Sequence, residues 1–334
     1  MTATIRDVAK LAETSTATVS KVLNGSYSIS KTTAERVKNA VQELDYHSNL
    51  RARNFVKQAT KTIMFVTLLE KNTGFSNPHM FEIMCGLEHV LSERGYSFMV
   101  KSILAEQACE YIANAAETKI ADGFVLHASV ISQELDQLIF QKSIPHLVIG
   151  IPDFNSHFCW IDIDNRLAGE IAAKYLLEKG YQSLAFIGGK EEDKISIHRL
   201  NGVRSVLNEH DLILPKGYVQ YGEPACDSGY HMTEQVVSER ERPDAIICAN
   251  NYIAYGCVNA LHDKKIKIPE EMAVITFDDY PFSKILEPKL SVVNIDVFDM
   301  GVQVGKYILQ KIKKPNLCVQ SYITLPALIV RDST

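Results

Sequence analysis

The chain has 334 residues, 46% of them hydrophobic, with a formal net charge of −5. That length suits two or three domains with sizeable cores, and no run of about 18 apolar residues offers a membrane span. Seven cysteines are scattered without CxxC or CxxH pairing, which argues for reduced thiols and against a disulfide framework or a zinc site.

The charge is unevenly spread. Residues 1–61 hold ten Lys/Arg against five Asp/Glu, a net +5, so the remainder carries −10. A small basic module on a large acidic body is the pattern of a nucleic-acid-binding head joined to a second function. The N-terminus, MTATIRDVAK, has no apolar signal core, so a cytoplasmic protein is expected.

The first elements are two short helices in IRDVAKLAETSTATVSKVLN, residues 5–24. Apolar residues fall at helical spacing from Ile5 to Ala12 and again from Ala17 to Leu23, interrupted at Glu13-Thr14-Ser15. Ser15 suits the N-cap of the second helix, since its hydroxyl can accept an orphan backbone N–H. The outward face then carries Thr16, Ala17, Ser20 and Lys21. Small, hydroxyl and cationic side chains fit the floor of a DNA major groove. Taken alone, the same pattern also serves plain helical packing.

After the polar loop at 25–29, Ser30 caps a third helix with Ala34, Val37, Ala40, Val41 and Leu44 on one stripe. Three helices in some 45 residues can close a minimal core. Residues 47–60, HSNLRARNFVKQAT, are basic and too polar for a stable isolated helix. They read either as a linker or as a helix that orders against a partner.

From Lys61 the composition changes. Apolar strands (TIMFVTLL, SFMVKSI, DGFVLHAS, PHLVIGI) alternate with helices at 81–95, 106–117 and 132–142. After WIDIDN and a helix at 166–179 a second series begins: SLAFIGG, GYVQYG, DAIICANN and MAVITFDD, with helices near 199–210, 228–239 and 252–263. A helix at 299–312, a short strand near 320–325 and the apolar end ALIVR complete the chain. Such alternation gives parallel sheets covered on both faces. The body is therefore expected as two doubly wound lobes with a ligand cleft at the carboxyl ends of the strands.

The block TIRDVAKLA–STATVSKVLNG, the hinge-like NLRARNF, and the body strings SNP (76–78), DIDN (162–165), FIGG (186–189), RLNG (199–202), ANN (249–251) and FDD (277–279) together resemble the lactose-repressor/galactose-repressor family of bacterial transcription regulators. The likeness runs over essentially the whole chain. It implies an all-α helix-turn-helix head (1–46), a hinge (47–60), and a periplasmic-binding-protein-like α/β body. The first lobe is expected at 61–161 and 292–321, the second at 162–291 and 322–334. It also implies a homodimer reading a pseudo-palindromic operator, since a twofold protein presents identical helices to two half-sites. The chain ends soon after its last strand without leucine heptads, so a dimer is expected rather than a tail-built tetramer.

By the resemblance, Thr16, Ala17 and Lys21 take base-reading positions. Thr4, Thr18, Ser20 and Asn24 take phosphate or capping roles. Arg is common at the Lys21 position, and lysine lacks its bidentate fork. In the hinge, Phe55 stands where a leucine usually wedges into the minor groove, flanked by Arg53 and Asn54; an aromatic wedge suits that work, and packing against its twofold mate is the other use.

In the cleft the resemblance points to Arg199, Asn250 and Asp278 from the second lobe and Ser76, His79 and Met80 from the first. A guanidinium, an amide and a carboxylate together satisfy vicinal hydroxyls, while Asn250 and Asp278 could equally cap loops. His79 and Met80 replace two usual aromatics, Gly150 a frequent acid, Pro224 a stacking aromatic and Asn251 the more usual Asp. Met80, Trp160, Tyr280 and Phe282 can supply apolar faces, and His127 can line the entrance.

The function expected is a DNA-binding transcription regulator, a repressor, switched by a small effector: a sugar or sugar derivative, with a nucleobase, nucleoside or other metabolite as the alternative. A transport-type solute-binding protein shares the body but not the basic head. An enzyme is not expected: there is no G-x-S-x-G, P-loop or GxGxxG, and no cofactor or metal motif.

Overall fold

The computed structural model describes residues 3–23, 29–46, 59–69, 78–319 and 323–334. It divides into two compact units, 1–61 and 62–334.

The first unit holds α1 (Ile5–Leu11), α2 (Thr16–Leu23) and α3 (Lys31–Glu43). Their apolar stripes meet in a core of Val8, Ala9, Ala12, Val19, Val37 and Ala40. So few small side chains stabilise little, and local signals carry much of the specification. At the start of α1 Asp7 Oδ2 accepts twice from Thr4, from its N–H at 2.8 Å and from its hydroxyl at 2.7 Å. Glu13 takes a left-handed φ of 48°, which ends α1 before Ser15 starts α2. Ser15 Oγ accepts the Thr18 N–H at 3.1 Å, and Ser30 Oγ accepts the Thr33 N–H at 3.3 Å, as both expected caps require.

The second unit runs β1 (Thr62–Thr67), α4 (Pro78–Glu93), β2 (Ser97–Ser102), α5 (Ala105–Glu117), β3 (Gly123–His127), α6 (Gln133–Lys142), β4 (His146–Ile149), β5 (Trp160–Ile163), α7 (Asn165–Glu178), β6 (Leu184–Gly188), α8 (Lys194–Glu209), β7 (Val219–Tyr221), α9 (Cys226–Val237), β8 (Ala245–Cys248), α10 (Asn251–Asp263), β9 (Ala273–Phe277), α11 (Pro281–Ile285), β10 (Ser291–Asn294), α12 (Val297–Lys313), β11 (Ile323–Thr324) and β12 (Ala327–Ile329). Two six-stranded sheets result, ordered β11-β5-β4-β3-β1-β2 and β12-β10-β9-β8-β6-β7. Every pairing is parallel except β10 with β12. The interior strands are buried along nearly their whole length, as continuous Val/Ile/Phe runs between two helical layers must be.

The lobe crossings differ from the expected boundaries. Trp160–Ile163 lies wholly in the first sheet and Ile323–Thr324 joins it, whereas Ser291–Asn294 belongs to the second sheet beside β9. The first sheet thus takes in residues 162–163 and 323–324, which the expected division gave to the second lobe, and the second sheet takes in 292–294. The reason is physical: strand apolarity is the same in either sheet, and only the hydrogen-bond partner decides membership. The crossings fall at Asp164 and Asp296, which cap α7 and α12 through Leu167 N at 2.8 Å and Asp299 N at 2.9 Å, and at 325–326.

One helix contact positions the ligand corner. A Cβ on Gly169 of α7 would lie 2.0 Å from the Arg199 carbonyl oxygen, and one on Gly202 of α8 would lie 2.1 Å from the Arg166 carbonyl. Only glycine lets α7 and α8 approach so closely, and that approach sets where Arg199 starts.

Candidate functional site

The head's outward face is borne by α2. Thr16, Ala17 and Lys21 are exposed; Thr18 and Ser20 are half-buried. The Thr18 hydroxyl bonds Ser15 Oγ at 2.9 Å, so Thr18 works as part of the cap. Thr4 likewise has its hydroxyl on Asp7, and that bond, with the Thr4 backbone N–H, holds the Asp7 carboxyl below its ordinary range. Thr16 and Ala17 are exposed at the N-terminal end of α2, the end that enters a groove in helix-turn-helix docking, and Lys21 is exposed in its last turn. Asn24, Arg53, Asn54, Phe55 and Ser76 lie outside the described residues.

In the body, polar side chains gather where second-lobe strands end. Arg199, on α8, is only 2% exposed. Its Nε donates to Asn165 Oδ1 at 3.0 Å, one terminal nitrogen donates to the Ala249 carbonyl at 2.6 Å, and the other pairs with Asp278 Oδ2 at 3.5 Å. The guanidinium carbon stands 4.2 Å over the Phe277 ring. Two of its five N–H bonds are thus spent in hydrogen bonds, and the ion pair and the ring fix the plane further.

Asp278 follows β9 with a left-handed φ of 67°. Its N–H continues the sheet by donating to the Val293 carbonyl at 3.0 Å. Asn251 braces the turn: its amide nitrogen donates to the Phe277 and Asp278 carbonyls at 2.6 and 2.8 Å. An aspartate there could not donate, which explains the amide at this position.

Three buried polar atoms in this corner have no hydrogen-bond partner: Asp278 Oδ1, Tyr280 Oη and Asn251 Oδ1. Burial raises the Tyr280 pKa, and the Asp278 charge raises it further, so the phenol stays a neutral donor and acceptor. Orphaned buried groups are costly and call for an explanation; a ligand bearing donors and acceptors supplies one.

Asn250 accepts the Ile253 N–H at 3.0 Å and caps α10, the capping use left open by its sequence. Asp278 makes no such cap among the described residues. Asp162 is an addition to the expected set, and Asn251 and Tyr280, expected there as a departure and as an apolar face, gain polar roles through the Asn251 amide and the Tyr280 hydroxyl. Asp162 accepts the Ile163 and Ile151 N–H groups at 2.8 and 3.2 Å; burial raises its pKa, opposed by these bonds and by His198 and Arg199. The DIDN string was the only trace of it in the sequence.

From the first lobe, His79 and Met80 lie half-buried on the first turn of α4. Met80 packs on the apolar core. His79 faces the second-lobe pair: burial lowers its pKa, Asp278 opposes this and Arg199 adds to it. His127, at the end of β3, is pushed down to about 4 by burial and by His79. Its Nδ1 accepts the Ser129 N–H at 3.2 Å, which leaves the proton on Nε2. Both lobes thus contribute to one polar region. The exposed Lys194 of the second lobe pairs with Asp153 of the first at 2.8 Å. Among the described residues no three His, Cys, Asp or Glu side chains converge as metal ligands, and no helix is long and apolar enough to cross a membrane.

Comparison with known proteins matches residues 4–49 to the model for bacterial regulatory proteins, lacI family, and residues 173–334 to a periplasmic binding protein-like domain. Catabolite control protein A of Staphylococcus epidermidis is 31% identical over 324 residues, covering 95% of this chain and 96% of that protein. The HTH-type transcriptional repressor PurR of Vibrio cholerae is 30% identical over 334 residues, covering 99% and 98%. Among solved structures, a complex of the transcriptional regulator CelR with cellobiose is 27% identical, with a TM-score of 0.74 and coverage of 99% and 100%. The lac repressor dimer bound to operator and the anti-inducer ONPF, at 21% identity, shares the fold with a TM-score of 0.86 over 100% of this chain and 99% of that one.

Proposed function

This chain belongs to the lacI family of bacterial regulatory proteins, and from that membership we propose that it is a homodimeric repressor of transcription whose hold on operator DNA is set by a sugar or sugar derivative bound between the two body lobes.

On this reading residues 1–46 are the DNA-reading head. Thr16, Ala17 and Lys21 meet base edges, while Ser20 and Asn24 meet phosphates. Residues 47–60 are a hinge that orders on DNA, with Phe55 wedged into the minor groove between Arg53 and Asn54. The effector favours one lobe arrangement and the operator another, which is all that coupling requires.

The observation that carries the effector class is the pair of unpartnered buried oxygens, Asp278 Oδ1 and Tyr280 Oη, beside the Arg199 guanidinium. A vicinal diol donates one hydroxyl to the carboxylate and accepts an N–H from the guanidinium with the other. His79 and Met80 approach from the first lobe, Ser76 is the further contact the family resemblance gives to that lobe, and Asn250 shapes the floor through the α10 cap. The cellobiose held by CelR is a ligand of this chemistry.

A thermal-shift panel of mono- and disaccharides, nucleobases and nucleosides tests this. A sugar is expected to raise the melting temperature of the wild type and to do so far less for Asp278→Asn, since a ligand bound only to the native state stabilises it. A rise with nucleobases alone, or an undiminished sugar response in Asp278→Asn, sinks the sugar reading.

A further inference from the structure

A second polar cluster lies away from the ligand corner, at the end of the first sheet where its parallel strands begin. Lys311, on the last turn of α12, is 8% exposed and Cys159, just before β5, is 1% exposed. Lys311 Nζ donates to Cys159 Sγ at 3.1 Å and to the Leu317 carbonyl at 2.7 Å. The Val319 N–H donates to the same sulfur at 3.3 Å. Among the described residues no carboxylate lies within 4.0 Å of this ammonium. A buried cation without a carboxylate is unusual, and its ionisable neighbour here is a sulfur.

A second thiol completes the group. Cys318 is exposed and lies within hydrogen-bonding reach of Cys159; burial, the Cys159 charge and that bond hold its pKa above the ordinary thiol range, while Lys311 draws it down and so favours the thiolate. The Trp160 N–H donates to the Val319 carbonyl at 3.0 Å, so the two segments run side by side at strand spacing, about 4.8 Å. Cys159 then stands opposite Val319 and Cys318 is its diagonal neighbour, at a Cα separation of roughly 6 Å, which a disulfide spans. His146 completes the surroundings. Its Nε2 accepts the Cys159 N–H at 3.0 Å, and burial pushes its pKa down to about 4, so it stays neutral and leaves Lys311 as the charge beside the sulfur.

We propose that Cys159 and Cys318 are a peroxide-sensitive thiol pair, assisted by Lys311, that closes to a disulfide across two of the three lobe crossings. Cys318, the exposed member, attacks a peroxide oxygen. The O–O bond breaks, giving a sulfenic acid on Cys318 and, with its thiol proton, one water. Cys159 Sγ then attacks the Cys318 sulfur, the S–O bond breaks, and the Cys159 proton leaves with hydroxide as the second water. Two thiols and one hydrogen peroxide thus become one disulfide and two waters. The Lys311 ammonium and the Val319 N–H both favour electron density on Cys159 Sγ during its attack. The new bond joins the segment entering β5, which crosses to α7, to the segment entering β11, which crosses to β12.

The body supplies its own control. Cys248 and Cys257 also hydrogen-bond, but both are fully buried, and burial together with Cys257 raises the Cys248 pKa well above the ordinary range. With neither access nor a neighbouring cation, this pair is expected to stay reduced.

The test uses the full reduced chain, treated with hydrogen peroxide, denatured in N-ethylmaleimide and digested without reductant for mass spectrometry. The expected result is five alkylated thiols instead of seven and a Cys159–Cys318 cross-linked peptide that reductant abolishes. Cys318→Ser is expected to form no cross-link, and Lys311→Met, checked for native circular dichroism, to close about ten-fold more slowly. Seven alkylated thiols, a Cys248–Cys257 cross-link instead, or over-oxidation of Cys318 without a bridge would overturn the proposal. Closure at the wild-type rate in folded Lys311→Met would remove the lysine from it.

Discussion

The reading face of α2 and the ligand corner of the second lobe place their working side chains in opposite settings. Thr16, Ala17 and Lys21 stand exposed on a head whose core is six small apolar residues. Arg199 and Asp278 are buried at 2% and 6% exposure, and the guanidinium is fixed on four sides by Asn165, Ala249, Asp278 and Phe277. In the head, function can change with little effect on the fold. In the corner, the groups that would bind effector also hold strands and helices together, so function and stability are coupled.

The largest test of that contrast is Arg199→Ala. It leaves Asp278 buried without its cation, so a loss of about 3–5 kcal/mol in body stability is expected in urea denaturation, together with loss of the effector response. An unchanged midpoint would show the pair to be structurally idle.

Acid comes next. His127 and His146 hold pKa values of about 4 in the fold, against about 6.5 in an open chain. Between those values the unfolded state binds more protons, so the stability they contribute is full above pH 6.5 and falls as pH drops toward 4, by up to ~3 kcal/mol each. Residues 1–46 contain no histidine. Melting curves from pH 7 to 4.5 should therefore show the body transition falling while a head transition holds.

A smaller effect, and the mirror of the Arg199 result, is expected for Lys21→Ala and Phe55→Ala. Each should weaken operator binding by about 1–3 kcal/mol without moving the body's melting temperature, as read by fluorescence anisotropy beside calorimetry. Smallest is Ser15→Ala, which removes the α2 cap and should lower head stability alone by ~1 kcal/mol; an equal drop in the body transition would erase the distinction between the two units.

The sequence shows the elements well and their partners poorly. The continuous runs of β1, β6 and β9 and the stripe of α3 announce themselves by period. Ser15 and Ser30 are legible as caps because a cap acts within four residues. The lobe crossings were not, because Ser291–Asn294 is equally apolar for either sheet and its place is set by pairing with β9. The same locality explains the site. Arg199 and Asp278 came from family resemblance, whereas Asn250 resolved into a cap. Asn251 stood out only as a departure from the usual Asp, because its role depends on two carbonyls presented by the left-handed turn at Asp278. Lys311 and Cys159 are 152 residues apart in sequence, and no pattern joins them.

The central claim, that the head reads one twofold DNA site, is met most directly by selecting sites from a randomised duplex pool with the intact chain and then measuring anisotropy on the enriched sequence across a salt series. Enrichment of a pseudo-palindrome, bound at least a thousand-fold (about 4 kcal/mol) more tightly than scrambled DNA and with affinity falling steeply as salt rises, is the expected result. No enriched sequence, or equal affinity for the scrambled duplex at every salt concentration, would contradict it.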